Sequence, residues 1–384
     1  MVLLETSILA LAANGVDFVP SVDVLTPQAA WVEGSIDDQG VFRNRAGEDL
    51  TATALAWLPR ESLDAPPPQR PFAVLAASDG QRVPGAFGGF IESAPGKEST
   101  VRWKHLGLGM IDLPTQQIAS IQFQPTRSMA RATDSDELVL RNGDVVRGFV
   151  ERFAEPLIVD SGGVRHEISV DRVASLALVS PAQPQGAVRV WITDGSVIDG
   201  TAIRVVRSGT DTSFIVEGMP LIPGHPPLAL MPQEILGVQT SATRILALSS
   251  LTPAVSAPTT PALPRAEYPA PRVEQRDAPF AAASLEIRGP LRLVYEVPQG
   301  FTTLNMTAEM PPSARTWGDC VIVVRQAHHE LARHHLWAQN PVVQIRVPIH
   351  SGPLEIELEE GAGGPIADVV NLKRAILVIA DGQG

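Results

Sequence analysis

Apolar and polar residues alternate with period two through most of this chain, and the alternating runs are short. AVLAASDGQRVPGAF (Ala73 to Phe87), DELVLRNGDVVRGFV (Asp136 to Val150) and VRVWITDGSVIDGTA (Val188 to Ala202) each read as a strand, an Asp-Gly or Asn-Gly turn and a returning strand. Such dipeptides favour positive φ at both central positions of a two-residue hairpin turn, so that geometry is expected at each. A second glycine follows five residues after the first, at Gly85, Gly148 and Gly200. Inside a strand, a glycine at this place predicts a bulge or a sharp bend.

Each hairpin is followed at a distance by a further alternating strand. These are GMIDLPTQQIASIQF, VRHEISVDRVASLAL and PLALMPQEILGVQT, and a weaker copy runs from WVEGSI at Trp31 to DLTATALAWL. The period predicts β repeats over 72–126, 134–181 and 187–248, with a degenerate β unit in 1–65. Residues 249–279 hold the longest Pro-rich stretch, SAPTTPALPRAEYPAPRVEQRDAP, which predicts an extended, semi-rigid linker.

From 280 to 382 the strands lengthen. LEIRGPLRLVYEV, TLNMTAEM, DCVIVVR, ELARHHLWA, VVQIRVPI, PLEIELEE and NLKRAILVI are seven strand candidates. The predicted fold is all-β: an N-terminal array of three or four small β-barrel-like or curled-sheet repeats, then a C-terminal antiparallel β-sandwich of jelly-roll type.

Composition agrees with a turn-dense folded chain: 34 prolines and 31 glycines in 384 residues, 44% hydrophobic and 19% charged. The net charge of −12 opposes binding to a phosphate backbone, so nucleic acid is not an expected partner. No run approaches the roughly 20 apolar residues of a membrane span. The start, MVLLETSILALAANGVDF, ends its apolar stretch in Ala10-Leu11-Ala12, a pattern signal peptidases accept, but no basic residue precedes it and Glu5 interrupts it. Export and a short amphipathic element are both open readings of it. The single cysteine, Cys320, lies in the apolar run CVIVV and reads as a core thiol. The recurring G-x-x-x-x-G spacing continues into Ala86, Phe149 and Thr201 rather than Lys, so these are turn glycines and no cofactor is implied.

VVRQAHHELARHHLWAQ (Val323 to Gln339) holds four of the eight histidines beside Glu330. A zinc hydrolase needs H-E-x-x-H on a helix, but here Arg333 stands where the second ligand belongs. His329 and His334 would splay by about 140° on a helix at about 100° per residue. The segment need not be a helix, since DCVIVVR reads as a strand before it. Glu355, Glu357 and Glu359 share one strand face, expected to be solvated. Trp317, Asp319 and Trp337 are the candidate ligand-binding residues, because sugar sites stack apolar sugar faces on aromatic rings and hydrogen-bond hydroxyls to carboxylates. The competing reading buries both tryptophans in the sandwich core. No metal site is expected, and no G-x-S-x-G elbow is present.

The order GP…VP, TLNMTAEMPP, WGDCVIVV, a turn, a returning strand and PLEIELEEGAGGPIADVVNLKRAILVI resembles the novel putative carbohydrate-binding module family, over about Ala278 to Ala380. That resemblance implies a galactose-binding-like sandwich and a carbohydrate ligand. It also places a hairpin at Val323 to Gln339 with QAHHE as its turn, so that His334 and His335 point to opposite faces of the returning strand. The Asn-Gly and Asp-Gly repeats resemble those of uncharacterised bacterial cell-surface or periplasmic proteins. The chain is therefore read as a noncatalytic cell-envelope protein, periplasmic or at the cell surface, partnered by a polysaccharide or an envelope protein. Two readings compete with it: a structural or protein-interaction scaffold with no sugar site, and a hydrolase with an unrecognised site.

Overall fold

The computed structural model describes residues 21–37, 41–50, 54–59, 73–92, 99–124, 132, 134–181, 183, 185–208, 211–240, 244–257, 269–273, 278–364 and 367–380. The apolar N-terminal segment and much of the Pro-rich stretch from Ser256 lie outside these residues. The fold is all-β, with one-turn 3-10 helices between strands. No helix among the described residues is long and apolar enough to cross a membrane.

Four units built on one plan come first. Unit 1 has β1 (Ser21–Leu25), β2 (Trp31–Ile36), β3 (Phe42–Asn44) and β4 (Ala56–Pro59). Unit 2 has β5 (Ala73–Ala77), β6 (Arg82–Ile91), β7 (Thr100–His105), β8 (Gly109–Pro114) and β9 (Ile118–Gln122). Unit 3 has β10 (Asp136–Leu140), β11 (Val145–Arg152), β12 (Leu157–Ser161), β13 (Val164–Ile168) and β14 (Val173–Ala177). Unit 4 has β15 (Val188–Ile192), β16 (Val197–Gly200), β17 (Ala202–Ser208), β18 (Asp211–Glu217), β19 (Leu228–Leu230) and β20 (Ile235–Gln239). A 3-10 turn precedes the last strand of units 2, 3 and 4.

The first turn of each repeat differs from the two-residue hairpin expected. Only the glycines have positive φ, +91° at Gly80, +91° at Gly143 and +92° at Gly195. Gly80 N–H donates to Ala77 O, and Ala77 N–H donates to Gln81 O, with the same pairs at Gly143 and Gly195. This is a type I turn closed by a left-handed glycine. The side chains of Asp79, Asn142 and Asp194 accept the N–H two residues ahead, at 2.9, 3.1 and 2.8 Å. That bond holds the acidic or amide residue in its ordinary turn conformation and leaves the positive φ to glycine. Ala29, with φ +57°, takes the glycine's place in unit 1.

The second glycine is where each second strand changes partner. Residues 82–85 of β6 pair with β5, and β6 pairs with β7 from Ala86 onward. β11 pairs with β10 as far as Gly148 and with β12 from Phe149. The β15–β16 ladder ends at Gly200 and the β17–β18 ladder starts at Ala202. A Cβ on Gly34, Gly85 or Gly148 would lie 2.6, 2.4 or 2.1 Å from a carbonyl oxygen of the unit's third strand, and one on Gly200 would lie 2.9 Å from Glu217 O of β18. The bend therefore requires glycine at these places.

Units join through equivalent strands. The last strands of units 2 and 3 pair as β9–β14, and those of units 1 and 4 as β4–β20. The second strands of units 2 and 4 meet where Arg82 pairs with Val197. Behind that contact, buried Arg189 donates to both carboxylate oxygens of buried Asp199 at 2.6 and 2.9 Å and to Asp79 O at 2.7 Å. Asp199 N–H donates to Gln81 Oε1 at 2.8 Å, so this buried pair has partners on both sides. Trp57 of unit 1 packs on Phe214 of unit 4, ring centres 5.0 Å apart.

The sandwich takes short outer strands from the end of the 187–248 segment and from the Pro-rich region. β21 (Ile245–Ala247), β22 (Ala254–Ser256) and β23 (Arg272–Val273) lie on β31 (Val369–Val378), β25 (Leu291–Val297) and β24 (Leu285–Arg288) respectively. The others are β26 (Thr303–Glu309), β27 (Cys320–Gln326), β28 (His329–Leu336), β29 (Val342–Pro348) and β30 (Gly352–Glu360). One sheet runs β23-β24-β31-β26-β29 with β21 also on β31; the other runs β22-β25-β30-β27-β28. LEIRGPLRLVYEV, expected as one strand, is β24 and β25 in opposite sheets. Pro290 between them has no N–H for a ladder, which lets the chain cross over. Leu293, Tyr295, Met306, Ile322, Val324 and Ile356 are among the side chains buried between the sheets.

Sandwich and units share a second buried cluster that includes Leu25, Leu58, Trp191, Phe280, Ile376 and Val378. Phe280 sits against Trp191 and Trp31, ring centres 5.2 and 6.0 Å away. The turn of unit 1 is also held: Asn305 Nδ2 donates to Ala29 O at 2.8 Å, and Arg374 pairs with Asp23 at 3.1 Å. Gly148→Ala is expected to lower stability by about 1–3 kcal/mol, since the added Cβ overpacks a backbone contact. Denaturant unfolding checks it, and an unchanged midpoint would show that the close approach is no constraint.

Candidate functional site

The β27–β28 hairpin turns at Ala327 and His328, both with positive φ, +48° and +67°. This is the mirror-image turn that matches strand twist, and it leaves His328 and His329 exposed. His334 is half-buried and His335 exposed, on opposite faces of β28. Among the described residues, no three His, Cys, Asp or Glu side chains are grouped to hold a metal ion.

At the other end of this hairpin the ladder closes with Cys320 opposite Leu336, with Asp319 and Trp337 the next residue on each side and Trp337 bridged to Asn340. His335 and Trp337 share a face, with ring centres 4.4 Å apart and planes tilted by 43°. His335 Nε2 contacts Asp319 Oδ1. The other carboxylate oxygen accepts the Ala362 N–H at 2.9 Å, and Asp319 O accepts the Gly361 N–H at 2.7 Å. Gly361 is required there, because a Cβ would lie 2.3 Å from Asp319 O. The loop after β30 thus wraps the carboxylate. The hydrogen bond to His335 holds the Asp319 carboxyl below the usual aspartate range, outweighing the opposing effect of partial burial.

Trp317 stands on the turn just upstream and is 74% exposed. Its backbone is held by N–H donation to Ala314 O at 3.2 Å, and Gly318 N–H donates to the same oxygen at 2.7 Å. The two candidate tryptophans therefore differ: Trp337 is half-buried and engaged with His335, while Trp317 offers its ring to solvent. His335 joins the cluster as an unexpected member. Its i, i+2 relation to Trp337 was the available signal.

Burial raises the Cys320 thiol to about 12, aided by the charges of Asp368 and Asp319, so it is no nucleophile. The acidic strand face is not the solvated face expected. Glu357 is fully buried under Arg325, which also bonds Glu359 at 2.9 Å. Arg333 reaches Glu359 at 2.6 Å and Glu330 at 3.0 Å. Burial acts to raise the Glu359 carboxyl, but the two guanidinium groups hold it below the usual range.

A Ser-His-Asp cluster invisible to motif reading lies elsewhere, between units 2 and 4. His105 Nε2 faces Ser196 Oγ at 2.9 Å and Asp194 Oδ2 at 3.2 Å. His105 Nδ1 accepts the N–H groups of Gly107 and Leu108 at 3.1 and 3.0 Å. The ring proton is therefore assigned to Nε2, leaving no lone pair there to take a proton from serine. The cluster is a structural tie between units.

Because the folded Asp319 carboxyl is depressed, its contribution to stability is present above the ordinary aspartate value of about 3.9 and lost as pH falls through the folded value. Wild type is expected to exceed Asp319→Asn in thermal stability near neutral pH, with the difference shrinking as pH falls below the ordinary aspartate value of about 3.9. A difference that stays constant with pH would contradict the pairing.

No family model matches the chain, and no curated protein matches it. Solved structures similar to it include carbohydrate-binding modules. CBM51 from Clostridium perfringens GH95, in complex with methyl-galactose, is 11% identical with a TM-score of 0.29, over 35% of this chain and 99% of that one. The tandem CBM51 modules of a family 98 glycoside hydrolase from Streptococcus pneumoniae are 13% identical with a TM-score of 0.28, over 65% of this chain and 89% of that one. An exo-β-1,3-galactanase from Phanerochaete chrysosporium is 8% identical with a TM-score of 0.20, over 94% of this chain and 81% of that one.

Proposed function

We propose that this is a noncatalytic cell-envelope protein, periplasmic or at the cell surface, whose sandwich binds glycan at Trp317, Asp319, His335 and Trp337. The observation that carries the reading is the 74% exposed Trp317 ring on a backbone-anchored turn two residues before the held Asp319 carboxylate. An exposed indole offers a flat apolar face for the C–H side of a sugar ring. Asp319 is already fixed by His335 and the loop after β30, so it accepts hydroxyl hydrogen bonds with little further ordering. The four groups act in recognition: the carboxylate and imidazole are bound to each other rather than set on either side of a bond to be cleaved.

A second reading, a docking scaffold with no sugar site, draws support from the buried seam between sandwich and units. Retention of the full chain on immobilised polysaccharides, checked with a glycan array, separates the two. Wild type is expected to be retained, and Trp317→Ala to bind at least about tenfold more weakly, a change of about 1.4 kcal/mol. Unfolding of the variant should match wild type, since the ring is exposed. Failure of wild type to bind any of a chemically varied set of sugars would sink the glycan reading and leave the scaffold.

A further inference from the structure

The residue three before each bend glycine opens the second strand of its unit: Trp31, Arg82, Val145 and Val197. Three of these four equivalent places are covered. Arg82 and Val197 pair with each other across units 2 and 4. Trp31 meets Phe280 and has the Arg374 guanidinium 5.8 Å from its ring centre. Val145 is 49% exposed, and the turn before it, Arg141 to Asp144, is exposed throughout. Among the described residues, β11 pairs only with β10 and β12, and Val145 pairs only with Val139. Its second edge is open, as the equivalent edge in β6 and β16 is not.

The same strand face carries Phe149, 56% exposed, where units 1, 2 and 4 have Ser35, Ala86 and Thr201. Between Val145 and Phe149 lies Arg147, paired with Glu137 on β10 at 3.0 Å. The one unit with an open hairpin face is thus the one with an exposed phenylalanine on it.

We propose that the open edge of the β10–β11 hairpin pairs with the same edge of a second copy of this chain, forming a twofold dimer centred on Val145 with Phe149 flanking the axis. Continuity with the internal interface supports that occupant. Within the chain, β6 and β16 are equivalent strands meeting antiparallel, and a twofold axis would bring β11 to β11 in the same relation. The face also complements itself. Arg147 and Glu137 cancel locally, so two copies meet without opposing charge although the chain carries −12. Val145 supplies the apolar centre of the interface, and Phe149, four residues along the strand, flanks it on each side.

The test uses the full chain in sedimentation velocity over a wide concentration range, with two variants. Wild type is expected to dimerise, and Val145→Asp combined with Phe149→Asp to raise the dimer dissociation constant at least about tenfold. In the proposed pairing Val145 faces its own copy, and antiparallel partners have Cα atoms about 4.5–5.5 Å apart, within disulfide reach. Val145→Cys should therefore form a covalent dimer under mild oxidation, whereas Val164→Cys, equally exposed elsewhere on unit 3, should not. The native Cys320 is buried and silent in this assay. A monomer at all concentrations overturns the proposal. So does a dimer that survives the double substitution, or one that fails to cross-link through Val145→Cys.

Discussion

The close approach of each second strand to a carbonyl of a neighbouring strand, possible only at Gly34, Gly85, Gly148 and Gly200, is the constraint on which the N-terminal array depends. Because no Cβ intervenes, the strand can leave one ladder and enter the next within a residue or two. A short chain then curls far enough to bury Leu75, Val101, Trp103 and Ile121 inside unit 2, with equivalent sets in the others. The same bend turns the first hairpin away from the unit's other strands, and in units 2 and 4 the hairpins meet where Arg82 pairs with Val197. Bend, core and docking face follow from one missing methyl group, repeated.

Docking through equivalent strands explains why units this small persist. β9 with β14 and β4 with β20 extend sheets across unit boundaries, so the last strand of each unit has a neighbour on both edges. The polar contacts at these junctions are built to be satisfied. Asp199 is buried but bonded to Arg189, Gly186 and Gln81, and His105 is bonded through both nitrogens. A buried group with all its partners fixes register as well as adding stability. The sandwich is attached in the same manner, through apolar residues around Phe280 and a few directed bonds from Asn305, Arg346 and Arg374.

The candidate binding site sits away from that seam, at the open end of the β27–β28 hairpin. Its polar members are held by one another and by the loop after β30, while Trp317 is held only through its backbone. That division suits recognition: fixed acceptors set orientation and a free ring supplies contact area. The neighbouring Arg325, Arg333, Glu357 and Glu359 lattice stiffens the strands that carry it.

Period-two alternation and the glycine spacing were enough to read the all-β class and the bends at Gly85, Gly148 and Gly200, because each is a local preference of a few residues, whereas the hairpin at His328 was implied by the family resemblance. The turn geometry at Asp79, Asn142 and Asp194 was misjudged, since the dipeptide alone does not say whether its side chain will bond the backbone ahead. The split of LEIRGPLRLVYEV between two sheets and the burial of Glu357 depend on what lies across the sandwich. Trp317 and Trp337 look alike in sequence, yet one is open and the other stacked on His335. Ser196 reaches His105 across a separation of 91 residues. Local periodicity encodes which face of a strand is apolar; which other strand that face meets, and which polar groups are thereby enclosed, is decided only when distant segments close on one another.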